Sequence, residues 1–320
     1  MNTVTPRPIK TVIRTGLLLL AGSTAIIATA QASGDELSAR QIADKTRAAY
    51  AALSSYSDSG KVVYAIAGQN LTATFDLRLA RPGLYRVDWA QEKGLQGVVW
   101  SQGDGDFLQV DPGSPASAMA TASLAAAGLK NDPNPQRKPS RNAALSQAAG
   151  LSFTAAATIP GIFFNQSCGD IFISPIIAGQ YPVKREKDET INGVDCYVIA
   201  TEIDLSTTTP PSKPGTESAT LWIGKSDFLI HQDQVRYAEK VDEQALSSDA
   251  QIDEACKKSL EMQHQPVTPE AIAALRPQMR TVMKQVQSTL KAGFAKGIVT
   301  TQTHDNIVIN RSLTASDFAR

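Results

Sequence analysis

The chain has 320 residues, with 31 Lys or Arg set against 31 Asp or Glu, so it carries no formal net charge. That balance gives no electrostatic preference for nucleic acid or for an anionic membrane surface. A hydrophobic fraction of 42% excludes an intrinsically disordered chain and leaves room for a real core.

Arg7, Lys10 and Arg14 precede the interrupted apolar run TGLLLLAGSTAIIATA, and Ala28, Ala30 and Ala32 offer small-residue cleavage sites. This is the pattern of a secretory signal peptide over residues 1–32, cleaved near Ala32, with an uncleaved anchor helix as the alternative. No later segment is long and apolar enough for a stable membrane span. A periplasmic protein is therefore expected, with residues 33–320 as one domain.

Residues 36–55 predict a helix: Ser38 and Gln41 have capping-box spacing, and Ile42, Ala49, Tyr50 and Leu53 form an apolar stripe. Alternating runs predict strands at 60–67, 71–80 and 84–90. Arg81-Pro82-Gly83-Leu84 between the last two predicts a type II turn, in which Gly83 takes positive φ. Two further strands, 97–101 and 106–111, flank the turn sequence QGDG.

The texture then changes. Within an insertion at about 112–165, residues 112–150 are rich in Ala, Ser, Pro and Gly and predict a mobile, partly helical stretch. It runs into TIPGIFFNQ, which predicts a short helix or loop packing Ile162, Phe163 and Phe164. Strands resume at 195–204, 217–225 and 228–239. A second insertion at 240–297 is helical: one helix spans 248–262, and another is capped by Thr268, is kinked or divided at Pro277, and ends at Gly297. Its stripe continues through Val282, Val286, Leu290 and Phe294. A last strand begins at Ile298. Many strands without strand–helix–strand alternation predict an α+β fold, a curved antiparallel sheet with helices on one face.

Chemistry is sparse. His231, His264 and His304 lie far apart, outside any metal-binding spacing, and are expected to be ordinary surface or edge histidines. Asp104 and Asp106 are explained by a hairpin turn, without the further oxygen ligands that a calcium loop needs. No nucleophile elbow, phosphate-cradling glycine loop or C-x-x-C is present. No catalytic residue, metal or cofactor is expected, and no nucleic-acid partner. A cluster of two or more of His231, Asp195, Glu202 and Ser226 around a pocket would revive an enzyme. Three cysteines leave the pairing open, with Cys168–Cys196 a possible disulfide.

The stretch FDLRLARPGLYRVDW followed by VVWSQGDGDFLQVDP resembles the LolA/LolB-like superfamily of outer-membrane lipoprotein carrier-like periplasmic proteins. INGVDCYVIATE, ATLWIGKSDFLIHQ and THDNIVINRSLTASDFA resemble the later strands of its predicted periplasmic members, of the DUF2092 type. The resemblance touches residues 36–111, 183–239 and 299–319 and does not cover 112–165 or 240–297. At Ser101-Gln102-Gly103 the chain departs from the pattern, because the usual acid is replaced. The resemblance implies an open, incomplete antiparallel β-barrel, a LolA-like half barrel, with helices covering its concave face and an apolar cavity for acyl chains. It places Arg81 near the lid and Tyr85 on the cavity side.

Exposing an acyl chain to water costs about 0.8 kcal/mol per methylene, roughly 12 kcal/mol for a palmitoyl chain, so such cargo needs a dry container. Phe75, Leu77, Leu79, Tyr85, Val87, Trp89 and Trp222 are the candidates for its wall, or else ordinary core beneath the helices. Arg81 is either a latch to the carbonyls of a lid helix or a solvated turn charge. Ile162, Phe163, Phe164, Val286 and Leu290 are lid elements or packing partners. The expected function is non-enzymatic binding or carriage of a lipid, acyl chain or lipidated protein. The alternative is an envelope scaffold or sensor that binds a protein partner.

Overall fold

The computed structural model describes residues 37–66, 68–92, 94–111, 134–170, 172–204, 215–239, 248–262 and 266–320. The signal-peptide segment, His264 and residues 112–133 of the first expected insertion lie outside the described residues.

Helix α1 (Ala39–Ala52) begins where the sequence predicts. The Ser38 side chain accepts the Gln41 amide, and the Gln41 side chain accepts the Ser38 amide in return. Its stripe of Ile42, Ala43, Thr46 and Tyr50 is buried. Five strands follow: β1 (Ser55–Ile66), β2 (Gln69–Ala80), β3 (Leu84–Gln91), β4 (Gln96–Ser101) and β5 (Asp106–Asp111). The β2–β3 turn differs from the type II expectation. The Arg81–Pro82 peptide is cis, and Gly83 does not take positive φ.

Residues 134–165 are not a mobile insertion. They form β6 (Gln136–Lys138), α2 (Arg141–Leu151) and α3 (Thr158–Phe164). Ala144, Ala148 and Ala149 of α2, Ala155–Ala157 and all seven residues of α3 are buried. Small side chains let these helices lie close to the sheet, so low hydrophobicity here reflects tight packing. A short α4 (Ile173–Ala178) completes the layer, its start held by Asp170, which accepts the amides of Phe172, Ile173 and Ser174.

The remaining strands are β7 (Lys184–Ile191), β8 (Val194–Asp204), β9 (Gly215–Gly224), β10 (Ile230–Glu239) and β11 (Ile298–Ile309). Between the last two lie α5 (Asp249–Met262) and α6 (Pro269–Lys296). These two helices are joined by Arg276, which grips both carboxylate oxygens of Asp253 at 2.7 and 2.8 Å. The sequence predicts a break at Pro277, yet α6 runs through it as one helix.

All eleven strands form a single antiparallel sheet in the order β6-β5-β4-β3-β2-β1-β11-β10-β9-β8-β7. The sheet is open, with β6 and β7 at its edges. The fold is α+β, an incomplete antiparallel barrel whose inner face carries the core. Helices α1 to α4 supply the opposing apolar side chains, among them Ile42, Tyr50, Leu145, Phe163 and Ile176.

A polar cavity beside a filled core

The inner face divides into two parts. Over β2 to β5 it is apolar and filled. Phe75, Leu77, Leu79, Tyr85, Val87 and Trp89 share one core with Leu145, Ile162, Phe163 and Phe164, and none of the first six is more than 3% exposed. Six of the seven proposed wall residues are therefore packed beneath helices. Tyr85 spends its hydroxyl on the Asp106 carboxylate, 2.8 Å away.

The seventh, Trp222, requires a correction. Its neighbours Leu221 and Ile223 face the main core, and strand alternation turns Trp222 to the opposite side of the sheet. There it packs with Cys196 and Val198 and donates its indole N–H to Glu189 at 2.7 Å. The same geometry corrects the disulfide. Cys168 belongs to the main core and Cys196 to the Trp222 cluster, and both are unpaired. Burial pushes their thiols up, to about 12 and about 11.

Arg81 is not a free turn charge. Its guanidinium donates to the carbonyls of Leu53 (2.9 Å) and Tyr50 (3.3 Å) at the end of α1, and to that of Phe163 (2.7 Å) in α3. It also lies 4.6 Å from the centroid of the Phe163 ring. One side chain thus joins two helices to the β2–β3 turn. Val286 and Leu290 fall on α6, but their side chains lie outside what is described.

Over β1, β11, β10 and β9 the inner face is different. Strand register lays out three rows across these strands. The outer row is Ile298, Tyr237 and Glu217. The middle row is Tyr64, Thr300, Val235 and Ala219. The inner row is Val62, Gln302, Asp233 and Leu221. Between these rows and the segment Thr154–Ile173 lies a cavity of about 400 Å³. Apolar groups from Tyr64, Phe172, Ile173, Val235, Tyr237 and Ile298 line it, with the carboxylates of Asp170, Glu217 and Asp233 among them. Its volume falls within the roughly 300–1,000 Å³ typical of small-molecule sites.

Deeper still is a group that sequence reasoning missed. His304, expected at a surface or edge, is wholly buried. Its Nδ1 lies 2.5 Å from Asp58 and its Nε2 3.5 Å from Asp233. Tyr56 donates its hydroxyl to the same Asp58 oxygen at 2.9 Å. Burial alone would lower the His304 pKa, but the charges and hydrogen bonds of Asp58 and Asp233 override it and hold the imidazole up at about 9. At neutral pH His304 therefore holds its proton between the two carboxyl groups. Gly60 makes room for it: a Cβ there would stand 2.4 Å from Phe75 Cζ, and the Phe75 ring meets His304 edge-on at 5.6 Å. With a carboxylate on each ring nitrogen and no exposed surface, His304 is a structural ion and does not face a substrate.

Glu217 is the counterpart at the outer row. It is 2% exposed, and its Oε2 has no hydrogen-bond partner. Burial, reinforced by Asp170, pushes its carboxyl up to about 8. The signal for these residues was present as polar positions on inward-facing registers. It was obscured because β10 reads HQDQVRYAE, polar on both faces, with a register shift between Ile230 and Gln232.

The residues whose convergence would suggest catalysis do not meet in one site. His231 pairs with Asp227 at 3.0 Å, Asp195 is engaged by Lys225 and Thr190, and Glu202 and Ser226 are exposed. No helix among the described residues is long and apolar enough to cross a membrane.

No family model matches the chain, and no curated protein matches it by sequence. Solved structures similar to it include the lipoprotein LppX of Mycobacterium tuberculosis, at 11% identity and a TM-score of 0.36 over 86% of this chain and 97% of that one. LprF of Mycobacterium bovis is similar at 11% identity and a TM-score of 0.37, over 86% of this chain and 94% of that one. A putative outer membrane lipoprotein-sorting protein domain of Vibrio parahaemolyticus is similar at 10% identity and a TM-score of 0.31, over 88% of this chain and 95% of that one.

Proposed function

We propose that this chain is a non-enzymatic binding or carrier protein of the periplasm, which takes a lipid or another ligand with an apolar body into the cavity between its sheet and helices. The observation that carries the reading is the cavity of about 400 Å³, walled largely by apolar side chains. Such a space dehydrates part of an aliphatic chain at a gain of about 0.8 kcal/mol per methylene. The sequence resemblance to lipoprotein carrier-like proteins points the same way. It is the β1, β9–β11 half that receives the ligand. Arg81 holds the roof of the filled half in place and serves as the latch of the helical layer.

The test uses dodecanol, a neutral single chain, with isothermal titration of the purified protein. Saturable binding is expected, and Val235→Trp, which fills the cavity, is expected to abolish it. Native mass spectrometry of the protein isolated from the cell envelope should show a bound species released by organic solvent. Absence of dodecanol binding, or binding indifferent to Val235→Trp, would overturn the reading.

A further inference from the structure

The cavity is not a purely apolar container: three carboxyl groups stand among its described lining residues. Asp170, Glu217 and Asp233 line it, and none of its described lining residues is Lys, Arg or His. Asp170 is satisfied by backbone amides and by the Ser174 hydroxyl. Asp233 has His304 behind it at 3.5 Å, but that imidazole is shared with Asp58, which lies closer at 2.5 Å. Glu217 has no such support. One of its oxygens is buried without a partner, and the charged neighbour that acts on it is another carboxylate, Asp170. A buried acceptor without a donor costs free energy in the empty protein, and a donor brought by a ligand recovers it.

Resting on the cavity-binding reading, we infer that the ligand is an aliphatic chain ending in a protonated amine, which pairs with Glu217 while its chain lies along the middle row of the floor. An ammonium group supplies the missing donors and the missing positive charge together. A carboxylate or phosphate head supplies neither, and meets three acids at close quarters. The walls fit the same choice. Tyr64, Tyr237 and Phe172 are among the lining residues, and a desolvated cation is attracted to the face of an aromatic ring. Free Glu217 holds its proton near neutral pH, so amine binding releases a proton as the carboxyl ionises against the cation.

The experiment compares dodecylamine, dodecanol and dodecanoate, which share a chain and differ at the head, by isothermal titration at neutral pH. Dodecylamine is expected to bind about tenfold or more tightly than dodecanol, with dodecanoate weakest. In Glu217→Gln the affinity ratio of dodecylamine to dodecanol should shrink about tenfold. Equal affinity for the three probes, or an amine advantage untouched by Glu217→Gln, overturns the inference and leaves the cavity reading standing. Failure of all three to bind removes both. Should Glu217→Gln fold poorly, the ranking on the unaltered protein decides by itself, and Glu217→Asp, which keeps the charge, should retain the order of the probes.

Discussion

The two halves of the inner sheet face are built from the same kind of strand and do opposite things. Over β2 to β5 the inward positions are mostly apolar, with Ser101 and Asp106 at one end, and the helices α2 and α3 close directly onto them. Over β1, β11, β10 and β9 the inward positions include Asp58, His304, Gln302, Asp233 and Glu217, and the helical layer stands off to leave a cavity. The packed half thus carries the stability, and the half proposed to bind ligand lies apart from it. The first half is held by burial, at roughly 1.5–3 kcal/mol for each large side chain. The second half tolerates buried charge because His304 neutralises part of it, and what remains unpaired faces the open space.

That separation can be broken, and the largest effect is expected at the triad. His304→Ala leaves two carboxylates buried without their cation, which should cost about 3–5 kcal/mol in urea denaturation. A cost below about 1 kcal/mol would mean that the charge is not structural. Next comes Leu77→Ala in the filled half, with an expected loss of about 2–5 kcal/mol and no change in dodecanol affinity. If that change also abolished binding, the two halves would be one site. Arg81→Ala removes donors to three backbone carbonyls and should cost about 1–3 kcal/mol, with faster hydrogen exchange across Thr158–Phe164.

The subtlest effect is on pH dependence. His304 has an ordinary pKa of 6.5 and holds its proton to about 9 in the folded chain. Its stabilisation is therefore complete below 6.5 and lost as pH rises through 9. Glu217 acts in the same direction, since its folded value of about 8 stands above the ordinary 4.5, so raising the pH between them disfavours the folded state. The urea midpoint should fall between pH 6.5 and 9, and His304→Gln should flatten that fall. A midpoint that rises over this window would contradict both assignments.

The apolar half was largely legible in the sequence. LRLARPGLYRVDW alternates cleanly, so β2 and β3 and their inward faces could be read directly. What alternation could not distinguish was a wall from a core, because the same side chains make both. The helices above were harder to read. Alanines that bury completely look like a low-complexity insertion when no partner surface is in view. Edge strands were missed for a different reason. β7, KREKDETI, is charged along its length and has no apolar face to betray it, and β6 is three residues long. The cavity acids were hidden because an inward Asp or Glu reads as a solvated one until register assigns its side.

The pairing of β1 with β11 has a consequence for how the chain assembles. Asp58 and His304, 246 positions apart, meet at the centre of the sheet, and Ser55 and Asn310 are hydrogen-bonded through their backbones. The middle of the sheet is thus sewn from the two ends of the described chain, and the cavity floor does not exist until its final strand arrives. Contacts of such long range form slowly, so joining the two strand meanders at the centre of the sheet is expected to be a slow step in folding.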